Sequence, residues 1–408
     1  MCSNAPLSAD PTARLKGLSV EEARDRILAR AITLPAETVT LDADGRVLAE
    51  AITAVRDQPP FDASAMDGWA VRRADVQTEA TLVIAGESAA GRGHAEPLRP
   101  GEAVRIFTGA PVPEGADCVI IQENAQRDGA HVTMGPVGDA GANIRPRGGD
   151  FRAGTMLLEA GERLDPWRLS LAAAAGRGEL SVARRPRIAV LATGEELAAP
   201  GAEAGPFQIY ESGAAGLLPM IRRWGGLPTR LAPTGDNAHA IAEAVRDVAA
   251  TVIVTVGGAS VGDYDLVKPA LATLGLTLDV ETVNVRPGKP TWFGRLADGR
   301  LVLGLPGNPA SAFVCAELFL KPLVLALQGA AEPHRMETER LAEPLPANGP
   351  REHWMRARLG PDGVTAFPDQ DSSLVTVFAA ADALLRRQPG APAAQSGERV
   401  DILRLDRS

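Results

Sequence analysis

From residue 187 onward the chain alternates short, wholly apolar segments with segments of helical spacing, and this pattern constrains the fold more than any other feature. Residues 188–191, 252–256 and 301–305 read as strands, 229–231 as extended chain, and 212–224, 238–249, 263–274 and 309–327 as helices. A strand that is apolar along its whole length must be covered on both faces, and alternation with helices supplies that cover. The expectation is a three-layer α/β domain with a mostly parallel sheet. In such sheets ligands settle beyond the carboxyl ends of the strands. The turns at 193–196, 257–265 and 306–311 each follow a strand, so they should share one rim.

The glycine-rich turns of this region carry its chemistry. They read Gly257-Gly258-Ala259-Ser260-Val261-Gly262-Asp263-Tyr264-Asp265, Arg286-Pro287-Gly288-Lys289-Pro290 and Leu305-Pro306-Gly307-Asn308-Pro309-Ala310-Ser311. Glycine lets backbone approach a ligand closely, and free N–H groups at helix starts attract phosphate-like anions. Three such turns bearing aspartates, a lysine and hydroxyls point to a site for an anionic ligand. Asp263 and Asp265, two residues apart, suit Mg²⁺ shared with water and substrate phosphates. Helix capping by Asp263, with Asp265 favoured by the helix dipole, is the structural alternative. Glu196 and Asp236 near strand ends strengthen the metal reading, although each alone reads as a solvated loop carboxylate. Only four of the 42 basic residues are lysines (Lys16, Lys268, Lys289 and Lys321), so a lysine kept within Pro-Gly-Lys-Pro is informative. Lys289 suits an oxyanion or is an exposed turn residue; Ser260 and Ser311 are anion donors or caps.

Composition narrows the classes. With 408 residues and 45% hydrophobic content the chain can bury a sizeable core, and two to four domains are expected, on the order of 100–200 residues each. A net charge of −9 argues against a nucleic-acid partner. Cys2, Cys118 and Cys315 have no metal spacing and suggest a reducing compartment, with the latter two as buried small hydrophobes. No signal peptide is visible, and no apolar run approaches the roughly 18 residues needed to cross a membrane, so a cytoplasmic location without membrane contact is expected.

Upstream, residues 1–14 look disordered, and Ser19 with Glu22 forms a capping-box pattern ahead of Val20, Ala23, Ile27 and Leu28. Residues 38–136 turn to short β-like runs such as 82–85, 104–107 and 118–122, separated by glycine and proline. Residues 145–177 are mixed, with an alanine-rich helix at 166–175, and beyond Gly329 the chain again reads as proline-punctuated β structure. Two segments, Asp62-Ala63-Ser64-Ala65-Met66-Asp67-Gly68-Trp69 and Thr108-Gly109-Ala110-Pro111-Val112-Pro113, are dense in small residues that allow close approach to a ligand or another subunit. The five histidines show no ligand spacing, no Ser/His/Asp pattern is present, and the five tryptophans read as core or interface.

Together these segments resemble the molybdopterin molybdenumtransferase family, known as MoeA in bacteria and as the C-terminal domain of gephyrin in animals. The resemblance runs from about Leu18 to Leu405. It rests on Ser64-Ala65-Met66-Asp67-Gly68, on residues 107–117, on Asn143-Ile144-Arg145-Pro146-Arg147-Gly148-Gly149-Asp150, on Thr193-Gly194-Glu195-Glu196-Leu197, on the three glycine turns and on residues 370–384. It implies a disordered tail at 1–14, an elongated dimerisation region built discontinuously from 15–45 and 142–178, an inserted β domain at 46–141, the α/β domain at 179–329 and a C-terminal β-barrel-like domain at 330–408.

The resemblance also implies an activity: adenylylated molybdopterin and molybdate react in the presence of Mg²⁺, AMP leaves, and molybdenum is bound by the dithiolene. It implies a homodimer whose site joins the α/β domain of one subunit to the inserted domain of the other, with a MogA-type adenylyltransferase and recipient molybdoenzymes as partners. By motif, Ser64, Asp67 and Thr108 belong to the inserted side. Glu196, Asp236, Gly257, Gly258, Ser260, Asp263 and Asp265 belong to the nucleotide side, with Asp236, Asp263 and Asp265 as metal ligands. Arg286, Lys289, Pro290, Ser311, Arg351 and Ser372 lie near the oxyanion. Several residues depart from the family pattern: Phe207 and Gly213 around Gln208-Ile209-Tyr210-Glu211-Ser212, Arg286 for lysine, His353 for glutamate and Asp371 for glycine. An added carboxylate at 371 repels an oxyanion unless it points away. The rival readings are a paralogue that handles tungstate, a non-catalytic molybdopterin carrier or scaffold, and a MogA-type adenylyltransferase, which the flanking domains weigh against.

Overall fold

The structure, a computed structural model, describes residues 14–135, 142–235, 237–257, 266–330 and 336–406. Its central sheet runs in the order Leu227–Arg230, Arg187–Ala192, Val252–Val256, Leu301–Leu305, Trp292–Arg295, Thr277–Val280. The first four strands are parallel and the last two antiparallel, so the α/β expectation is met with a mixed edge. Strand alternation explains the unbroken apolar runs. Val252, Val254 and Val256 pack into one core with Leu301, Leu303 and Leu305, whereas Ile253 and Val302 pack into the core on the opposite face. Helices Gly213–Arg223 and Pro309–Cys315 cover the first face, and Ala238–Arg246 and Val267–Ala272 the second. The helix expected from 263 begins at Val267, its first three positions lying outside the described residues.

The Pro309–Leu327 helix corrects one expectation. It is 19 residues long and, by length and composition, apolar enough to cross a membrane. Yet 83% of its apolar window is buried, between the sheet and helix Val20–Leu28, which makes it the core helix of this domain. It passes into π-type hydrogen bonding at Ala316–Leu320.

Helix Val20–Leu28 carries the expected capping box: Glu22 N donates to Ser19 Oγ at 3.1 Å, and Ser19 N to Glu22 Oε2 at 2.7 Å. Its buried Val20, Ala23 and Ile27 join the α/β core. Farther along, Ala36–Thr40 pairs with Glu179–Ala183, and Ile52–Thr53 with Met156–Leu158, around a core that includes Leu48, Ile52, Leu164 and Val182. These pairings straddle the boundaries expected at 46 and 178, because register follows the apolar faces and not the motif spacing. Between them a six-stranded sheet runs from Cys118–Ile121 through Gly68–Val71 to Ala125–Asp128. The C-terminal sheet is centred on Glu352–Gly360, Ala383–Arg387 and Arg399–Arg404, and curls until Leu341 bridges Val364. Cys118 and Cys315 are buried free thiols, as expected. Four tryptophans are buried, whereas Trp167 is 82% exposed.

Candidate active-site cleft

A cleft of about 1050 Å³ lies where the carboxyl ends of the α/β strands face the C-terminal sheet. The chain builds it with a strand that changes sheets. Val285–Arg286 leaves the α/β domain and pairs in parallel with the C-terminal strand, setting Arg286 opposite His353; on the far side, His353 stands opposite Arg387. Arg286, His353 and Arg387 thus form a row across three adjacent strands, and all three line the cleft. Two hydrogen bonds close the other seam: Asn308 Nδ2 donates to Ser372 Oγ at 2.7 Å, and Ala310 N to the Ser372 carbonyl at 3.1 Å.

Glycine is required at two points of this wall. Gly257 has φ of 101°, and a Cβ there would collide with the carbonyl oxygen of Thr193 on the neighbouring strand. Gly288 has φ of 115°, and a Cβ there would overlap the buried Cys315 Sγ. The second constraint lets the Arg286–Pro290 turn sit flat on helix Pro309–Cys315, with Thr291 Oγ1 donating to Gly288 O at 2.8 Å. Lys289 is thereby carried into the opening.

The cleft lining carries the carboxylates Glu196, Asp369 and Asp371 beside cations that have no protein partner among the described residues. Lys16 pairs with Glu281, Lys321 with Asp406, and Lys268 is also engaged. Among the described residues, the side chains of Arg286, Lys289 and Arg351 have neither an acidic nor a hydrogen-bonding partner. His353 is only 6% exposed, its Nε2 has no hydrogen-bond partner, and burial followed by repulsion from Arg286, Arg356 and Arg351 drives its pKa down to about 4. It is therefore neutral near pH 7. Behind it Arg356 is fully buried; one Nη2 donates to the Asp371 carbonyl at 2.8 Å, while Nε and Nη1 are unpaired. Asp371 holds its carboxylate in its own turn: Oδ1 accepts from Ser373 Oγ at 2.6 Å and Ser373 N at 2.8 Å, and these bonds keep its pKa below the usual carboxylate range. The carboxylate feared as a repulsive wall is thus partly satisfied by Ser373.

Of the residues singled out from sequence, Glu196, Gly257, Arg286, Lys289, Pro290, Ser311, Arg351 and Ser372 all line the cleft. Asp236, Gly258, Ser260, Asp263 and Asp265 lie outside the described residues. Asp67 and Thr108 are joined to each other, Asp67 Oδ1 accepting from Thr108 N at 2.7 Å and Oγ1 at 2.8 Å, but neither lines this chain's cleft. These bonds hold the Asp67 pKa down. Ser64 is fully buried and donates to the Met66 carbonyl at 2.6 Å, so it shapes that loop from within. Sequence reasoning missed Arg387 and Asn308, whereas His353, one of the departures expected at ligand positions, does line the cleft. A local signal accompanies His353: it alternates with Met355 along the Glu352–Gly360 strand, Arg351 comes just before that strand, and all three line the cleft. Arg387 needed the strand register.

Comparison with known proteins agrees with this geometry. The MoeA N-terminal region (domain I and II) matches residues 18–176, a probable molybdopterin-binding domain matches 189–326, and the MoeA C-terminal region (domain IV) matches 338–405. Molybdopterin molybdenumtransferase 2 of Mycobacterium tuberculosis strain H37Rv is 39% identical over 319 residues, covering 75% of this chain and 77% of that protein. The molybdopterin molybdenumtransferase of Bacillus subtilis strain 168 is 32% identical over 374 residues, 88% of this chain and 87% of the other. This chain belongs to the molybdopterin molybdenumtransferase family. The crystal structure of the molybdopterin biosynthesis MoeA protein from Pyrococcus horikoshii OT3 superposes with a TM-score of 0.82 at 26% identity, over 96% of this chain and all of that one. Membership makes the chain a transferase of molybdenum cofactor biosynthesis, and its α/β domain is the part that matches the probable molybdopterin-binding domain.

Proposed function

We propose that the chain is a cytoplasmic molybdenum insertase that takes adenylylated molybdopterin and molybdate and releases AMP. The observation that carries this reading is the trio Arg286, Lys289 and Arg351, unpartnered among the described residues and converging on one cleft of a chain with a net charge of −9. Two anions must be held together and charge on the leaving phosphate must be neutralised, and fixed cations in a partly desolvated cleft do both without reorganising during reaction. Arg286 and Arg351 offer planar forks suited to an oxyanion, and Lys289 offers a compact charge. Neutral His353 adds no charge near pH 7. Phe207, Gly213 and Asp371 would favour a non-catalytic carrier if they obstructed the cleft; Phe207 is 92% exposed and neither it nor Gly213 lines the cleft, whereas Asp371 does, with its carboxylate bonded to Ser373.

Mg²⁺ dependence belongs to the same proposal and rests on Asp236, Asp263 and Asp265. Among the described residues no three Asp, Glu, His or Cys side chains cluster as a metal site; the three aspartates lie outside those residues. The homodimer belongs to the same proposal, in which Asp67 and Thr108, exposed and bonded to each other, complete the cleft of a second copy.

The test is to incubate purified protein with adenylylated molybdopterin, Mg²⁺ and either molybdate or tungstate. Oxyanion- and Mg²⁺-dependent AMP release is the expected result, with the preferred anion separating a molybdate enzyme from a tungstate paralogue. Tight molybdopterin binding without AMP release would leave a carrier instead.

A further inference from the structure

A second concave site lies away from the cleft and shares no lining residue with it. It encloses about 400 Å³ where three parts of the chain meet: the loop at Asp44, Gly45 and Arg46 with Arg163, the end of the Gly213–Arg223 helix with Arg185, and Asp406 near the C-terminus. Five arginines line it, namely Arg46, Arg163, Arg185, Arg222 and Arg223. In a chain with a net charge of −9, such a concentration of one sign calls for a physical account.

Structural roles explain how the guanidinium groups are held but leave their charge in place. Arg163 donates from Nε to Gly45 O at 3.2 Å and from Nη2 to Arg223 O. Arg185 donates to Gly225 O at 3.0 Å and Gly226 O at 3.4 Å, and Arg223 to the Asp406 carbonyl at 2.7 Å. All of these acceptors are neutral carbonyls, which fix a planar fork without cancelling it. Among the described residues only Arg46 has a carboxylate, Glu37 Oε1 at 2.5 Å; it also donates to the Ala183 carbonyl at 2.8 Å, and its buried Nε has no partner. The Asp406 carboxylate is taken by Lys321 at 2.7 Å, and Arg222 has no partner among the described residues. The pKa of Arg185 is lowered, first by burial and then by repulsion from Arg46 and Arg163. A helix C-terminus accounts for Arg222 and Arg223, since cations favour that end, but not for the three arginines brought from other segments.

We propose that this pocket binds a small anion bearing a phosphate or pyrophosphate group, held by forks from Arg46, Arg163 and Arg222 and tying together the three parts of the chain. Oriented guanidinium groups with spare N–H donors match phosphate oxygens two at a time. Because the ligand would be contacted by segments that separate on unfolding, it stabilises the folded chain by mass action.

The experiment is calorimetric titration of the full-length protein with inorganic pyrophosphate, and in a second arm with AMP, alongside thermal unfolding with and without each. Arg351→Ala removes a cleft cation, and the pair Arg163→Ala with Arg222→Ala removes two forks from the pocket. Pyrophosphate should bind wild type and Arg351→Ala alike and raise their Tm, and should bind the double variant at least about tenfold more weakly. Arg222→Gln, at an exposed position, serves as the milder variant: its Tm without ligand should be unchanged or higher, with the pyrophosphate-induced rise reduced. Tighter binding of AMP than of pyrophosphate, kept in Arg351→Ala and lost in the double variant, would identify a nucleotide as the source of the phosphate. Binding that survives in the double variant, or that disappears only in Arg351→Ala, would overturn the proposal, as would no binding by either anion.

Discussion

Gly288→Ala tests how the cleft loop is held. The residue has φ of 115°, and an added Cβ would overlap the Sγ of Cys315, with Val285 Cγ1 at 3.4 Å and Thr291 Oγ1 at 3.7 Å closing the remaining directions. Two costs follow. Placing a non-glycine residue in this half of the backbone map costs about 1–2 kcal/mol. Inserting a methyl group into a filled site costs a further 1–3 kcal/mol, approximately. The total, about 2–5 kcal/mol, should lower the urea midpoint by about 1 M at a slope of roughly 3 kcal/mol per M. Cys315→Ala empties the contested space and by itself should cost only about 1 kcal/mol. If steric overlap is the cause, the double variant will be more stable than the sum of the two singles predicts, by about 1–3 kcal/mol, with the backbone cost remaining. Denaturation curves for all four proteins, followed by tryptophan fluorescence and circular dichroism, supply the comparison. Strict additivity would refute the overlap argument, and a fully stable Gly288→Ala would refute the whole account. The functional counterpart is displacement of Lys289, seen as weaker oxyanion binding in the single variant and partial recovery in the double.

His353 should make the protein acid-sensitive. Its folded pKa of about 4 lies below the ordinary 6.5, so the unfolded chain takes up a proton first, and stability falls as the pH drops from 6.5 to about 4, by about 3 kcal/mol in full. His353→Gln should flatten that part of the stability profile between pH 7 and 4; an unchanged profile would assign the loss elsewhere. Glu317 predicts the opposite limb. Burial raises its pKa from 4.5 to about 7 despite Lys321, so its ionised form is penalised above that value, and Glu317→Gln should stabilise the protein at pH 8 by up to about 3 kcal/mol while changing little at pH 4. Equal effects at both pH values would point to lost packing. Arg351→Ala should raise the KM for molybdate tenfold or more, on the order of the 1.5–3 kcal/mol of a charged hydrogen bond, and lower kcat less. Finally, Asp67→Ala and Lys289→Ala, each inactive alone, should recover about a quarter of wild-type activity when coexpressed, since half the dimers are mixed and each mixed dimer holds one intact site. No recovery would place both residues in the same subunit's site or remove Asp67 from the reaction.

Much of the α/β domain was legible in the sequence because local rules and the global fold agree there. The strands at 252–256 and 301–305 are apolar on both faces, and the sheet buries both. The capping box at Ser19 and Glu22 is a local device and forms where its residues dictate. The glycine turns announced a rim, since a positive φ at Gly257 and Gly288 is written into residue type. Helix Pro309–Leu327 was harder: an apolar segment of that length reads alike whether water or lipid lies outside, and only the surrounding layers make it a core helix.

What sequence alone determined, then, is the set of elements and the chemical character of each turn, because propensity, periodicity and glycine requirements act within a few residues. Tertiary structure decided which residues meet. Arg286 and Arg387 are a hundred residues apart, yet both stand beside His353, and only strand register places them there. The same holds for the five-arginine pocket, where Arg46, Arg163 and Arg222 are ordinary surface residues until three parts of the chain bring them together. Charge acts through space, and its effect on a site cannot be read until the distances are set.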